Sequence, residues 1–302
     1  MVEIIQPVIT ATFLSALYAI IAIGFTLIFG VGGILNFAHG AFITIGAFGS
    51  FLVTTKATAL TGVLAPIPLI TLPVVGLIVG TLAGAAIGAI TYVGVIRWVR
   101  TRPVTVLILT FVIGFFLIYA IRILSVELLG VNDPLNIPVQ PVIGSSDTMN
   151  NVFIFATSWL FIGLLIYFVN YTRTGQAIIA VSQSDKGAAL VGIDAEKINL
   201  VTWTVAGAFA GYAGVLLAGA FGNGSWLMSI QPPAPLILSF AIVILGGLGS
   251  IKGSVVGAYI IGFFETFTVN IEPQLAGISS LALLLVFLLV KPEGLFGREA
   301  AG

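Results

Sequence analysis

Cysteine is absent from the 302 residues, and histidine occurs once, at position 39. Disulfides, thiolate metal sites and thiol nucleophiles are thereby excluded, and a lone imidazole cannot assemble a zinc centre. Charge is almost as scarce: 11 basic and 11 acidic residues amount to 7% of the chain and cancel at neutral pH. Soluble domains carry about a quarter of their residues charged, so a water-facing surface is what this chain lacks. Apolar runs that alternate over about 10 residues, the mark of a membrane barrel, are missing too. What is present is 59% hydrophobic residues, 36 glycines and a mean hydropathy of +1.20. The apolar runs reach the roughly 20 residues that a helix needs to cross a bilayer. An all-α, polytopic membrane protein follows, with the lipid membrane as its surroundings and no nucleic-acid partner expected.

Spans are predicted at 5–29, 34–55, 74–96, 103–124, 152–171, 199–221, 236–249, 253–270 and 276–290. The stretch 62–73, with Pro66, Pro68 and Pro73, reads as a loop or a half-helix, and 236–249 is short enough to be re-entrant, so about 8–9 transmembrane helices are expected. No basic segment precedes the first apolar run, which argues for a retained helix over a cleaved leader. Lys and Arg are held on the cytoplasmic side during insertion. Arg97, Arg100, Arg102, Arg173, Lys186, Lys197, Lys252, Lys291 and Arg298 share one face of this layout, while Lys56 and Arg122 lie elsewhere. The N-terminus and the loops 125–151 and 222–235 are therefore expected outside, and the C-terminus inside.

The polar stretch Thr172–Lys197, within a loop spanning 172–198, stands out against these runs. Ser182 or Ser184 can cap a helix running to Val191, Gly192 suits a left-handed stop, and Asp194 can cap the next segment. An ordered inward-facing loop of this kind is a docking surface for another protein. Gly187–Gly192, mostly small residues, suits a shallow groove in a partner.

Gly76, Gly80, Gly84 and Gly88 recur at every fourth position and leave a bare groove for close helix packing. Gly207 with Gly211, and Gly253 with Gly257, repeat the theme. The run Gly246–Ser254 superficially resembles a phosphate-binding loop, but Gly253 separates Lys252 from Ser254 where that motif needs them adjacent. A tight turn between packed helices accounts for it. Gly33–Gly40 and Gly246–Gly253 share a spacing and hint at an internal repeat of the type seen in transporters.

Asn36 and His39 interrupt an apolar region, where polar groups are costly unless paired or facing a cavity. Two roles stand open for them: satisfying backbone groups at a helix break, or lining a substrate pathway. Glu265 lies well inside a predicted span and is likewise a pathway candidate, though it can also reach the outer interface or pair with Arg122.

Leu35–Gly40 (LNFAHG) with Ile45–Phe48, Thr174–Ala177, Gly192–Ile193, Leu245–Ser250 with Gly253 and Gly257, and Lys291–Gly297 (KPEGLFG) together resemble a known family. The chain is similar to the LivH-type permease subunit of branched-chain amino acid ABC importers over nearly its whole length. The resemblance implies the ABC importer permease fold as a single transmembrane domain over 1–302. It implies a second, LivM-like permease, two ATP-binding cassette subunits and an external substrate-binding protein as partners. The chain itself would be no enzyme and hold no cofactor, ATP being bound by the partner subunits in the plasma (inner) membrane complex. Gln176, Ala180, Asp185, Ala188, Ala189 and Gly192 match the loop that engages the ATPases. Gln176 and Ile179 depart from the arginines often found in that loop. Relatives that carry urea and short amides supply an alternative cargo, and an ion-coupled secondary carrier an alternative class.

Overall fold

The computed structural model describes residues 2–56, 71–129, 147–221 and 235–296, and every regular element among them is helical. Most of the stretch 62–73, the central parts of the loops 125–151 and 222–235, and Arg298 lie outside the described residues. In order come α1 (Val2–Gly32), α2 (His39–Lys56) and α3 (Thr71–Thr91), which continues through a π turn at Tyr92–Ile96 into α4 (Arg97–Val99). Then follow α5 (Pro103–Leu129), α6 (Asp147–Tyr171), α7 (Arg173–Gln183), α8 (Asp185–Leu190) and α9 (Ala195–Phe221). The chain ends with α10 (Pro235–Gly246), α11 (Ile251–Ile271) and α12 (Ile278–Val290).

Among the described residues, six helical stretches are long and apolar enough to cross a membrane: Ile5–Gly32, Val74–Val99, Pro103–Ser125, Met149–Tyr171, Ala195–Ala220 and Ile251–Ile271. The other predicted spans correspond to shorter apolar helices, His39–Val53, Leu236–Gly246 and Ile278–Val290. The span predicted from residue 34 begins only at His39, because 34–38 is not helical. Hydropathy cannot see such a break, since it counts apolar atoms and not backbone hydrogen bonds.

Burial separates an inner pair of helices from an outer set. The apolar windows of α1 and α9 are 83% and 67% buried, against 22% for α5. Helices so apolar on every side belong either to a core or to lipid, and here the first two form the core. Glycine sets how closely the inner helices approach. Gly76, Gly80, Gly84 and Gly88 all lie on the buried face of α3. A Cβ on Gly84 would sit 2.7 Å from the Gly211 Cα, and one on Gly46 would sit 2.6 Å from the Gly211 carbonyl carbon, so α2, α3 and α9 meet backbone to backbone. Such contact without side chains is the usual reason for small residues in membrane helix interfaces. Gly46 escapes notice in the sequence because it belongs to no fourfold repeat.

A second close approach joins α10 to α11, where a Cβ on Gly257 would lie 3.1 Å from the Gly246 nitrogen. The turn between them uses positive φ at Gly247 (102°) and Gly249 (83°), and Ser250 Oγ accepts from the Gly253 N–H at 3.0 Å to cap α11. The run that resembles a phosphate loop is therefore a turn whose first free donor is already filled. The segment before α2 also ends in a turn, with the Asn36 carbonyl accepting from the His39 N–H as the Gly247 carbonyl accepts from the Ser250 N–H. The C-terminal strap closes this end: Leu295 and Phe296 donate to the carbonyls of Leu245 and Gly246 at 2.9 and 3.0 Å, giving partners to oxygens that a helix end leaves free.

Candidate functional site

Three regions place the polar residues of this apolar chain. The first is the elbow between α6 and α9. Thr172 takes an extended backbone, and its Oγ accepts from the Gly175 N–H at 3.0 Å, so α7 starts with a side-chain cap. Ser184 Oγ accepts from the Gly187 N–H at 3.0 Å and caps α8, whereas Ser182 donates to the Ile179 carbonyl. Gly192 has φ +81°, the left-handed stop. Asp194 Oδ1 accepts from the N–H groups of Glu196 and Lys197 at 3.0 and 3.2 Å and opens α9. The hydrogen bond from the Lys197 N–H leads the causes that hold the Asp194 carboxyl below its ordinary range. Val31 at the end of α1, Ile178, Val181 and Ala188 make a small core under the elbow. Arg100 ties Asp185 at 3.1 Å, and Arg97 approaches Glu196 at 3.9 Å, so α4 is strapped to α8 and α9.

This geometry sorts the matched elbow residues. Gln176, Asp185, Ala189 and Gly192 are exposed and Ala180 is half-buried, but Ala188 is buried and faces the body of the protein. Sequence reasoning missed Leu190 and Val191, which are 89% and 74% exposed. Two residues on from the inward-facing Ala188, a helical position has turned by about 200°, so the outward aim of Leu190 was recoverable once Ala188 was known to be buried. Trp98 and Tyr171, 71% and 73% exposed, flank the same end as aromatic residues do at a membrane interface.

The second region is the break before α2. Asn36 Oδ1 accepts from the Ala38 N–H at 3.0 Å, the Asn36 carbonyl accepts from His39 N–H at 3.2 Å, and Phe37 N–H donates to Thr110 Oγ1. His39 Nε2 lies 3.0 Å from the Ile21 carbonyl and therefore carries the proton. Ile21 is eleven residues before the end of α1, roughly 16 Å along the helix, so α2 starts deep inside the protein. Here it meets α10 start to start: a Cβ on Gly40 would lie 2.9 Å from the Leu236 Cβ. From that junction α10 runs to the glycine turn beside Gly30, while α2 runs the other way, to pack Gly49 against α3. Asn36 and His39 are buried, and among the described residues Asn36 Nδ2 and His39 Nδ1 have no partner.

The third region surrounds Glu265, which is buried and does not reach the surface. Its oxygens accept from the Gly277 N–H and from the hydroxyls of Ser279 and Ser280. Arg122 is exposed and takes no part, so of the roles open to Glu265 neither the outer interface nor a pair with Arg122 is the one found. Glu265 instead supplies the cap that Gly277 cannot give to α12. Among the described residues, no group of three or more acidic, histidine or cysteine side chains could hold a metal ion.

Long apolar helices locked through glycine, two half-helices meeting inside them, and a capped elbow at the basic end define a multi-pass membrane permease. The chain belongs to the family described as "Branched-chain amino acid transport system / permease component", whose model matches residues 8–290. It is 30% identical over 314 residues to the high-affinity branched-chain amino acid transport system permease protein LivH of Escherichia coli K12, covering 97% of this chain and 96% of that protein. It is 29% identical over 305 residues, with 97% and 96% coverage, to the corresponding permease BraD of Pseudomonas aeruginosa. The ribose import permease RbsC of Escherichia coli is 26% identical over 293 residues, 90% of this chain and 79% of that one. No solved structure matches the chain.

Proposed function

We propose that the chain is the LivH-type permease subunit of an ATP-driven importer of branched-chain amino acids. The observation that carries this reading is the elbow. It is capped at every helix start and tipped by exposed Leu190 and Val191, the form of a lever that docks in another protein's groove. Two separate ATPase subunits grip that tip, and their closure on ATP moves it. Gln176, Asp185, Ala189 and Gly192 flank the contact, while Ala180 and Ala188 pass the movement inward to α1 through Val31. A LivM-like second permease completes the pathway, and an external binding protein delivers the cargo. ATP is bound by the partners, and this chain performs no covalent chemistry.

The elbow, the glycine turn and the C-terminal strap gather at one end with Arg97, Arg100, Arg102, Arg173, Lys186, Lys197, Lys252 and Lys291. Positive charge retained inside makes that end cytoplasmic, with the C-terminus inside and the N-terminus outside. The three short helices enter the bilayer together with the six long ones, giving nine segments. Asn36 and His39 mark the pathway at the α2–α10 junction. Glu265 carries no cargo, because its acceptors are filled, and this also weighs against an ion-coupled carrier, which would need that acid free to take up and release its ion.

The test is reconstitution in liposomes. Leucine, isoleucine or valine should accumulate only when ATP, both ATPase subunits and the binding protein are present. Uptake by this chain alone under an ion gradient would overturn the class, and uptake of urea or a short amide in place of leucine would overturn the cargo.

A further inference from the structure

The side of α3 that meets α2 is covered for only part of its length. Near its middle Ala83 packs on α2, where a Cβ on Gly49 would lie 3.3 Å from the Ala83 Cβ. Further along, the same side carries Ile90, Gly94 and Trp98 at helical spacing. All three are exposed, and among the described residues a Cβ on Gly94 would meet nothing within 4 Å. The cover stops because α2 starts only at His39, deep inside the protein. The π turn at Tyr92–Ile96 buries Tyr92 and Ile96 and leaves Gly94 as a notch in the bare flank. Such turns recur at functional sites. From Ile90 to Trp98 the flank runs about 12 Å, most of the roughly 15 Å that the hydrocarbon of one leaflet occupies.

Bare apolar flanks need only hydrocarbon, but this one ends in charge. Arg97, Arg100 and Arg102 stand at the corner between α4 and α5, in a chain that has 11 basic residues in all. The elbow offers them two carboxylates: Asp185 holds Arg100 at 3.1 Å, and Glu196 stands 3.9 Å from Arg97. Arg102 is exposed and joins none of the ion pairs among the described residues, and Arg97 Nε has no partner there. The Arg97 guanidinium lies 4.4 Å above the ring of the exposed Trp98, so an aromatic residue of the interfacial kind and a partly unfilled cation sit together at the end of the flank. Three guanidinium groups against two carboxylates leave positive charge over, which calls for an anion that also brings a hydrocarbon chain.

We propose that this flank is a site for an anionic phospholipid of the leaflet on the basic side of the membrane. One acyl chain lies along Ile90 and in the notch at Gly94, and the phosphate is taken by Arg97 and Arg102, guanidinium being well matched to phosphate oxygens. A zwitterionic lipid brings its own ammonium group to the arginines and fits less well. Because Arg97 also approaches Glu196, the headgroup and the elbow draw on one cation, and the lipid bears on how α4 is tied to α9. The inference uses the membrane placement of the chain and is independent of the cargo.

Native mass spectrometry of the whole complex in mild detergent tests the site, with phosphatidylglycerol and phosphatidylcholine of the same chains supplied in equal amounts. Phosphatidylglycerol should be retained in preference by at least about tenfold, and Arg102→Gln should cut that preference about fivefold. Gly94→Leu fills the notch and alters no charge, and it should release the lipid to a similar extent. Glycerol phosphate, the headgroup without chains, should not displace it. Equal retention of the two lipids, a preference that neither variant lowers, or displacement by glycerol phosphate would each overturn the site. Gly94→Cys would be the sole thiol of the chain, and its crosslinking to the second permease would give the flank a protein cover and overturn the site as well. A complex that retains the lipid as described yet imports no amino acid would count against the proposed function and leave the site standing.

Discussion

Two of the helix starts inside this protein, those of α2 and α12, are finished in opposite ways. At α12 the buried carboxylate of Glu265 reaches across from α11 and accepts from the Gly277 N–H and from the hydroxyls of Ser279 and Ser280. At α2 the amide oxygen of Asn36 accepts from the Ala38 N–H, and among the described residues its amino group has no partner. The same physics governs both, since a helix start away from water needs acceptors. The contrast makes the one acid buried among the described residues a structural joint, the reverse of what charge alone suggests.

Both starts are held against a frame set by glycine, and breaking the frame should have the largest effect. Gly84→Leu drives a side chain into the backbone of α9, where even a Cβ would lie 2.7 Å from Gly211. We expect a loss of more than about 3 kcal/mol, read as failure to recover folded protein from mild detergent. Leucine at the exposed Gly163, whose Cβ would meet nothing within 4 Å, should be recovered at the normal level.

Emptying the filled start comes next. Glu265→Ala strands three buried donors, each costing about 1 kcal/mol or more, so a fall in stability of about 3 kcal/mol should appear in the melting of the purified protein. Glu265→Gln keeps an acceptor and should lose about half as much. If the two variants melted alike, the carboxylate would not be acting as the cap of α12.

The sequence told these joints apart only in part, for reasons tied to particular residues. Ser184, Gly192 and Asp194 are readable because a cap acts on N–H groups two or three residues away, and local spacing records that. The recurrence of Gly76, Gly80, Gly84 and Gly88 is readable because one face of a helix repeats about every fourth residue. The partners are not readable: Gly46 against Gly211 and Glu265 against Gly277 depend on how separate helices dock. Glu265 was a pathway candidate for its charge, and nothing in its neighbours along the chain announced that α12 would need a cap. The late start of α2 was hidden by apolar residues at 34, 35 and 37 that keep the hydropathy high across non-helical chain.

Weakening the unfilled start should cost less than weakening the filled one. Asn36→Ala removes the bond to the Ala38 N–H, worth about 1 kcal/mol as a helix cap. That is roughly a third of the expected loss for Glu265→Ala, measurable side by side in thermal melts. Equal losses would mean that Asn36 is as much a structural joint as Glu265, and the distinction between the two starts would disappear.

The smallest effect on folding is expected at the strap between α4 and α8, and it sharpens the comparison by moving it to the elbow. Arg100 and Asp185 are 31% and 53% exposed, so their ion pair contributes at most about 0.5 kcal/mol in water-screened surroundings. Arg100→Asp should therefore leave the melting temperature almost unchanged. Its effect belongs to transmission, because the pair ties the end of α4 to α8. Loss of the pair should raise the ATP consumed per leucine imported, and the double exchange with Asp185→Arg should bring the ratio back toward the parent value. A single variant with unaltered stoichiometry would make the strap an ordinary surface pair, and the buried contact of Ala188 with Val31 would then carry the elbow's movement alone.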